Sequence, residues 1–419
     1  MRLRVARVRQ HLPDGRAVAR SVAVLLVLAA LIGAWGIDAT LSLKPEPNEY
    51  SIVTWEARNF PGKWLYLIGQ PFRSHPSEAK KDADVQRYFA LDRDIEALEN
   101  QISDAAQRGE QPAASTMTTL ATKRSERDGL ENEVEATIEG RLTAVIEQEG
   151  LARNFGIELV WPPVDFEFTD APRTLAISPR DQIKLIGTSL LRPDLSLSKV
   201  EQIEAQTEQK RDVSALAFPL GGLGAYPTII DYPDDYADAL SLIAHEWMHN
   251  YLFFRPLGFN YYKNNDLETM NETTADLVGQ ELAKAVLARW PALPEPQQAP
   301  SQPSQPTTPQ VDAGAVLRQL RGDVDKLLAA GKIDEAEALM EQKRRDLDVA
   351  GYYIRKLNQA YFAFLNLYAG EAGSPAAVNP IGPKIDELRK RSASLKQFVL
   401  IVGGLTSVRQ LDAALARLR

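Results

Sequence analysis

His245-Glu246-Trp247-Met248-His249 sets two of the chain's four histidines four residues apart, an H-E-x-x-H pattern. On a helix such residues stand one turn above each other, with Cβ atoms about 6 Å apart. That spacing suits two imidazole nitrogens on one zinc ion, with Glu246 left free between them as a base. The flanking periodicity is helical, because Tyr236, Ala239, Leu240, Ile243, Ala244, Trp247, Met248 and Tyr251 recur at three- and four-residue steps. Two histidines alone do not complete a site. The best third ligand is Glu272, a hard carboxylate on the next predicted helix, Glu268 to Arg289. Asp276 follows it by one turn and is placed to accept the outer ring N–H of His245 or His249, fixing its tautomer and orientation. The fourth position is then left to water.

Such a centre does hydrolytic chemistry. Zinc lowers the pKa of its water toward ~7 and polarises a carbonyl, while Glu246 takes the proton and later passes it to the leaving amine. The developing oxyanion needs one more donor, usually Tyr, His or Arg. His11 and His75 lie far upstream, which leaves tyrosine or arginine. Arg355, Asn358 and Tyr361 form one polar stripe in the otherwise apolar segment Ile354 to Tyr368, and a buried polar stripe needs partners. A cleft wall would supply them, with Arg355 and Asn358 binding substrate and Tyr361 or Tyr352 as the oxyanion donor. Hydrogen bonding within the core, or a solvated face, is the plainer reading of the same stripe. Arg255-Pro256-Leu257-Gly258 and Tyr261-Tyr262, between the ligand helices, would either shape the substrate pocket or form a structural loop.

With these residues the chain resembles the gluzincin metallopeptidases, in which H-E-x-x-H is joined by a glutamate from a following helix. The pattern Glu272-x-x-Ala275-Asp276 is similar to the E-x-x-A-D and E-x-x-x-D signatures of several families in that group. The resemblance covers about residues 213 to 290. It implies that His245, His249 and Glu272 are ligands of one zinc per chain, that Glu246 is the base, and that Asp276 supports the ligand shell. Two departures matter: the gap from His249 to Glu272 is slightly longer than in thermolysin-like patterns, and no G-x-M-E-N aminopeptidase motif precedes the helix. An endopeptidase is therefore preferred to an aminopeptidase.

Composition bounds the rest. A chain of 419 residues can build one large or two modest domains, and 44% hydrophobic with 25% charged residues is ordinary for a folded, water-facing protein. A formal charge of -8 argues against nucleic acid as the main partner. With no cysteine, disulfides, thiolate metal sites and a cysteine nucleophile are excluded. Arg2, Arg4, Arg7, Arg9, Arg16 and Arg20 precede an apolar run at 21–37, closed by Asp38. This predicts a membrane anchor, or else a cleaved signal peptide, with residues 1–20 cytoplasmic and the catalytic domain on the extracytoplasmic side.

The expected order continues with a connecting segment (38–76) and a helical hairpin or coiled coil (77–153), in which Tyr88, Leu91, Ile95, Leu98 and Ile102 form a heptad seam. That hairpin is either a projecting arm, open to a protein partner, or a pair packed on the domain. The zincin-like domain (154–290) should hold strands at Ile157 to Trp161, Thr174 to Ile177, Val213 to Phe218 and Tyr226 to Ile230. Gly221, Gly222 and Gly224 then make either an edge strand lining a peptide cleft or a plain hairpin turn. A Pro-rich linker (291–312) follows, and a C-terminal helical region (313–419), with one long helix from Ile333 to Tyr368, completes the cleft. The predicted class is α+β and predominantly helical. The function it points to is a membrane-anchored zinc metallopeptidase acting on peptide or protein substrates. A non-catalytic envelope scaffold with a structural metal site is the rival reading.

Overall fold

A computed structural model of the chain describes residues 47–59, 76–107, 110–154, 158–233, 235–291, 311–368 and 379–418. The basic segment, the apolar run at 21–37 and nearly all of the Pro-rich linker lie outside these residues, as does Trp64 to Ile68. The membrane expectation is corrected: no helix among the described residues is long and apolar enough to cross a membrane. The longest two, Glu78–Gln107 and Ala114–Gln148, carry charges on almost every turn, which a bilayer core does not tolerate. A single-pass topology is therefore not carried forward.

The fold is α+β and mostly helical, with small sheets. In the larger sheet Arg173–Pro179 is central, flanked antiparallel by Gly187–Leu191 and Val213–Pro219. In the second, Phe166–Phe168 runs parallel to Thr228–Ile230, which pairs antiparallel with Gly222–Leu223. The glycine segment is thus both a hairpin arm and an edge strand. Its partner starts two residues later than expected, because Pro227 has no N–H to give a ladder. The Ile157 to Trp161 expectation contracts to Glu158–Leu159, paired with Arg153–Asn154.

The two long helices form the predicted antiparallel hairpin, and its base is part of the main core. Tyr88, Phe89, Val134, Ile138 and Leu142 are buried together with Trp247, Met248 and Tyr251 of helix Tyr236–Phe253. Toward the tip, hydrophobic cover gives way to ion pairs such as Lys123–Asp94 and Arg124–Glu99, both 2.6 Å. So the hairpin is packed at its root and solvated at its end.

Beyond residue 311 the chain divides its loyalties. Helices Ile381–Arg391, Leu395–Gly403 and Val408–Arg417 add Ile385, Leu388, Phe398 and Leu411 to the main core. Helices Ala313–Ala329 and Ile333–Val349 make a smaller core of their own around Leu320, Val324 and Met340. The expected single helix from Ile333 to Tyr368 breaks after Val349, where Gly351 takes a left-handed φ of 89°. Helix resumes only at Gln359–Leu365, with the Asn358 side chain accepting from the Tyr361 N–H as its cap.

Candidate metal centre

Two helices build the site. The first, Tyr236–Phe253, carries the H-E-x-x-H motif and starts on Asp235, whose carboxylate accepts from the N–H groups of Ala237 and Asp238. Its apolar face (Leu240, Ile243, Trp247, Tyr251) is buried, and Trp247 donates its indole N–H to the Pro162 carbonyl at 2.9 Å. The second, Asn265–Arg289, starts three residues earlier than the sequence suggested, because Asn264 caps it by accepting from the Leu267 N–H. The helices cross at Gly279. A Cβ there would stand 2.7 Å from the Ser241 carbonyl oxygen and 3.2 Å from His245 Cβ. Only glycine lets the backbones approach this closely, and the approach brings Glu272 and Asp276 up to the histidines.

The three expected ligands converge. His245 Nε2 and His249 Nε2 are 3.0 Å apart, and Glu272 Oε2 lies 3.6 and 3.5 Å from them. Ligands at tetrahedral zinc distances would be separated by roughly 3.3–3.5 Å. The outer atoms are engaged as well. His245 Nδ1 meets Asp276 Oδ1 at 2.8 Å, and His249 Nδ1 meets Asn271 Oδ1 at 2.8 Å. Both partners are acceptors, so each ring keeps a proton on Nδ1 and points Nε2 inward, where its lone pair takes either a proton or a cation. Tyr261 donates a short hydrogen bond to Glu272 Oε1, which leaves Oε2 for the centre. Three acceptors therefore face one small volume, an arrangement that a cation relieves. The donor set of two imidazoles and one carboxylate, with no thiolate, fits zinc.

The electrostatics agree. Burial disfavours charge on His245, but its contacts with Asp276 and Glu272 outweigh this and raise it well above the ordinary histidine value. His249 is likewise raised, burial opposing and Glu272 prevailing. Burial would raise the Glu272 carboxyl, yet His249 and His245 hold it well below the ordinary carboxylate range. Without a metal, protons are what this cluster draws in.

Glu246 is nearly buried and does not belong to the ligand trio. Burial pushes its carboxyl up, partly offset by the two histidines. The glycine strand lies directly over it: a Cβ on Gly222 would fall 2.7 Å from Glu246 Oε1, and one on Gly224 3.4 Å from His249 Cβ. Asn250 ties this strand down by donating to Ala225 O and Thr228 Oγ1. A groove of about 1140 Å³ runs past Tyr50, the sheet edge at Lys184 to Leu190, and Tyr262. Glu268 also lines it, one turn before Glu272.

The C-terminal stripe sits elsewhere. The Arg355 guanidinium pairs with Glu204 at 2.5 and 3.0 Å and also reaches the Ala217 carbonyl. Asn358 donates to the Ala215 carbonyl, and Lys356 joins it there. Together with Glu204 and Glu208, which accept from the Ala217 and Ala215 N–H groups, they close the outer edge of strand Val213–Pro219. The Tyr361 ring packs against Phe218, with centroids 6.1 Å apart. The tyrosine of this segment that lies in the field of the centre is Tyr368. Burial first, and then Glu272, Glu246 and Asp276, raise its hydroxyl well above the ordinary value.

Sequence reasoning missed Asn271, Tyr368 and the binding role of Tyr261. Asn271 is 1% exposed, and a buried amide beside a ligand was the available signal. Removing a partner that orients a metal-bound imidazole typically costs 10–100-fold in affinity. Asp276→Ala and Asn271→Ala should each weaken zinc by about that factor in a chelator competition, with the fold retained by circular dichroism. Unchanged zinc affinity in both variants would show that the outer contacts do not hold the rings.

No significant match to the chain is found among protein-family models, curated proteins or solved structures.

Proposed function

We propose that the chain is a zinc metallopeptidase that cuts within extended peptides. One observation carries this reading: two imidazole Nε2 atoms and a carboxylate oxygen meet within 3.6 Å, each held by a hydrogen bond on its far side. A zinc ion held by His245, His249 and Glu272 would supply Lewis-acid polarisation of a carbonyl and a water of lowered pKa. The remaining work falls to the protein. Glu246, raised by burial, receives a proton from the attacking water and delivers it to the departing amine. Asp276 and Asn271 keep the ring tautomers fixed, and Tyr261 keeps Glu272 from turning. Tyr368 is the candidate to donate to the substrate oxygen as charge builds on it.

An endopeptidase is favoured over an aminopeptidase because no G-x-M-E-N motif precedes the motif helix. The groove of about 1140 Å³ comes nearest the centre at Glu268, one turn before Glu272, and leaves room beside it for a substrate chain. The test combines metal analysis with hydrolysis of matched peptides that have free or acetylated amino termini. About one zinc per chain is expected, with cleavage of both peptides abolished by a chelator and restored by added zinc. Cleavage confined to free amino termini would reverse the endopeptidase preference, and absence of zinc-dependent cleavage would remove the enzyme reading.

A further inference from the structure

A second cluster of charge lies on the far side of the motif helix. Tyr251, two residues beyond His249, is almost fully buried, and two arginines approach its ring. The Cζ atoms of Arg153 and Arg255 stand 5.1 and 5.2 Å from its centroid. Arg255 Nη2 donates to the Tyr251 hydroxyl at 2.8 Å, and Arg153 also lies 5.9 Å from the Phe254 centroid. No carboxylate among the described residues completes the pair. Arg153 Nε and Nη2 and Arg255 Nε are buried without a hydrogen-bond partner there. Burial, followed by the Arg255 charge, pulls the Arg153 guanidinium below its ordinary value. The C-terminal helices also touch the end of the hairpin: Lys396 Nζ lies 3.6 Å from where a Gly150 Cβ would be. Arg255 itself leans on Gly403 of helix Leu395–Gly403.

Guanidinium groups do not shed their protons in proteins, so such a cluster cannot neutralise itself as a histidine pair would. Buried like charges without a counter-charge are strongly unfavourable. Arginine forks match the oxygens of phosphate and sulfate; each residue as a whole is partly exposed, while the three unpartnered nitrogens are themselves covered. We infer that Arg153 and Arg255, around Tyr251, form a binding site for a small tetrahedral oxyanion of the phosphate or sulfate class. The anion would join three separate parts of the chain: the end of the hairpin, the end of the motif helix and the C-terminal helices. It would act as a structural counter-ion, independent of hydrolysis at the metal centre.

The experiment is a thermal unfolding series on the full chain, with inorganic phosphate titrated against sodium chloride at matched ionic strength. Binding to the folded state raises the melting temperature progressively with ligand concentration, so phosphate should produce a rise that chloride does not. In Arg153→Gln the phosphate response should vanish, and in chloride this variant should melt higher than the parent, because the like-charge crowding is gone. Equal melting curves in phosphate and chloride for the parent overturn the site. So does a phosphate response that survives in Arg153→Gln, since that response would come from the metal centre. If Arg153→Gln does not fold, Arg153→Lys replaces it; this keeps the charge and loses the planar fork, so it should weaken the phosphate midpoint several-fold, and an unmoved midpoint counts against the site. Glycerol phosphate run in parallel separates the sources. A response to both compounds assigns an esterified phosphate and a response to inorganic phosphate alone a free ion, and each supports the site.

Discussion

Glu246→Gln should leave about one zinc per chain while lowering peptide hydrolysis by 10²–10⁴-fold, the usual worth of a positioned general base. The two halves of this expectation come from different contacts. Zinc should be retained because the proposed ligands are His245, His249 and Glu272, and the glutamate between the histidines is not among the atoms that converge. Activity falls because glutamine keeps the shape and cannot take a proton. The site leaves little room for another group to substitute: the glycine strand closes over this side chain, as the 2.7 Å approach at Gly222 shows. Hydrolysis at the parental rate would falsify the general-base role. Loss of zinc from the variant would instead mean that Glu246 is a ligand, and the division of roles would have to be redrawn. Equilibrium dialysis with metal analysis, beside a fluorogenic peptide assay, reads both outcomes.

The convergence of His245, His249 and Glu272 was legible in the sequence because helical geometry is local. Two histidines four residues apart share a face wherever the helix sits, and the same holds for Glu272 and Asp276. What brings the two helices together is not local. It depends on Gly279, which looked like any other small residue until the 2.7 Å approach to the Ser241 carbonyl was seen. Asn271 and Tyr261 were hidden for a related reason. Their roles depend on the rotation of one helix against another and on the path of the loop between them, which no period encodes. The α+β character was readable from short alternating runs between long helical ones.

Of the two readings of the C-terminal stripe, the plainer one is what the structure has. A row of Arg355, Asn358 and Tyr361 in an apolar segment does need partners, and it has them. They are the carbonyls and acids along the edge of strand Val213–Pro219, not a substrate. Sequence can say that a buried polar group must be satisfied; it cannot say by whom. The long helix expected from Ile333 ends at Val349 because Gly351, in the left-handed region, terminates it, and apolar spacing carries no sign of that. Apolar patterning was a good guide to what is buried here and a poor one to where each element stops.

Tyr368→Phe is the second large expectation, and it sets the two tyrosines of this segment against each other. Tyr368 follows the short helix Gln359–Leu365, and burial together with the nearby charges of Glu272, Glu246 and Asp276 raises its hydroxyl. Tyr361 lies on the helix itself, its ring 6.1 Å from Phe218 and 5.5 Å from Phe362, in the smaller core. Removing one donor to a developing oxyanion commonly costs about 10²–10³ in kcat. Tyr368→Phe should therefore cut kcat by about 10²-fold with zinc content unchanged and KM little altered, the signature of a contact made mainly in the transition state. Tyr361→Phe should leave kcat within about twofold, since it removes a hydroxyl remote from the chemistry and keeps the ring that packs. Steady-state kinetics on the two variants decide the matter. Parental kcat in Tyr368→Phe, or a collapse confined to Tyr361→Phe, would move the oxyanion donor back to the helix face and require that face to turn toward His245 when substrate is bound.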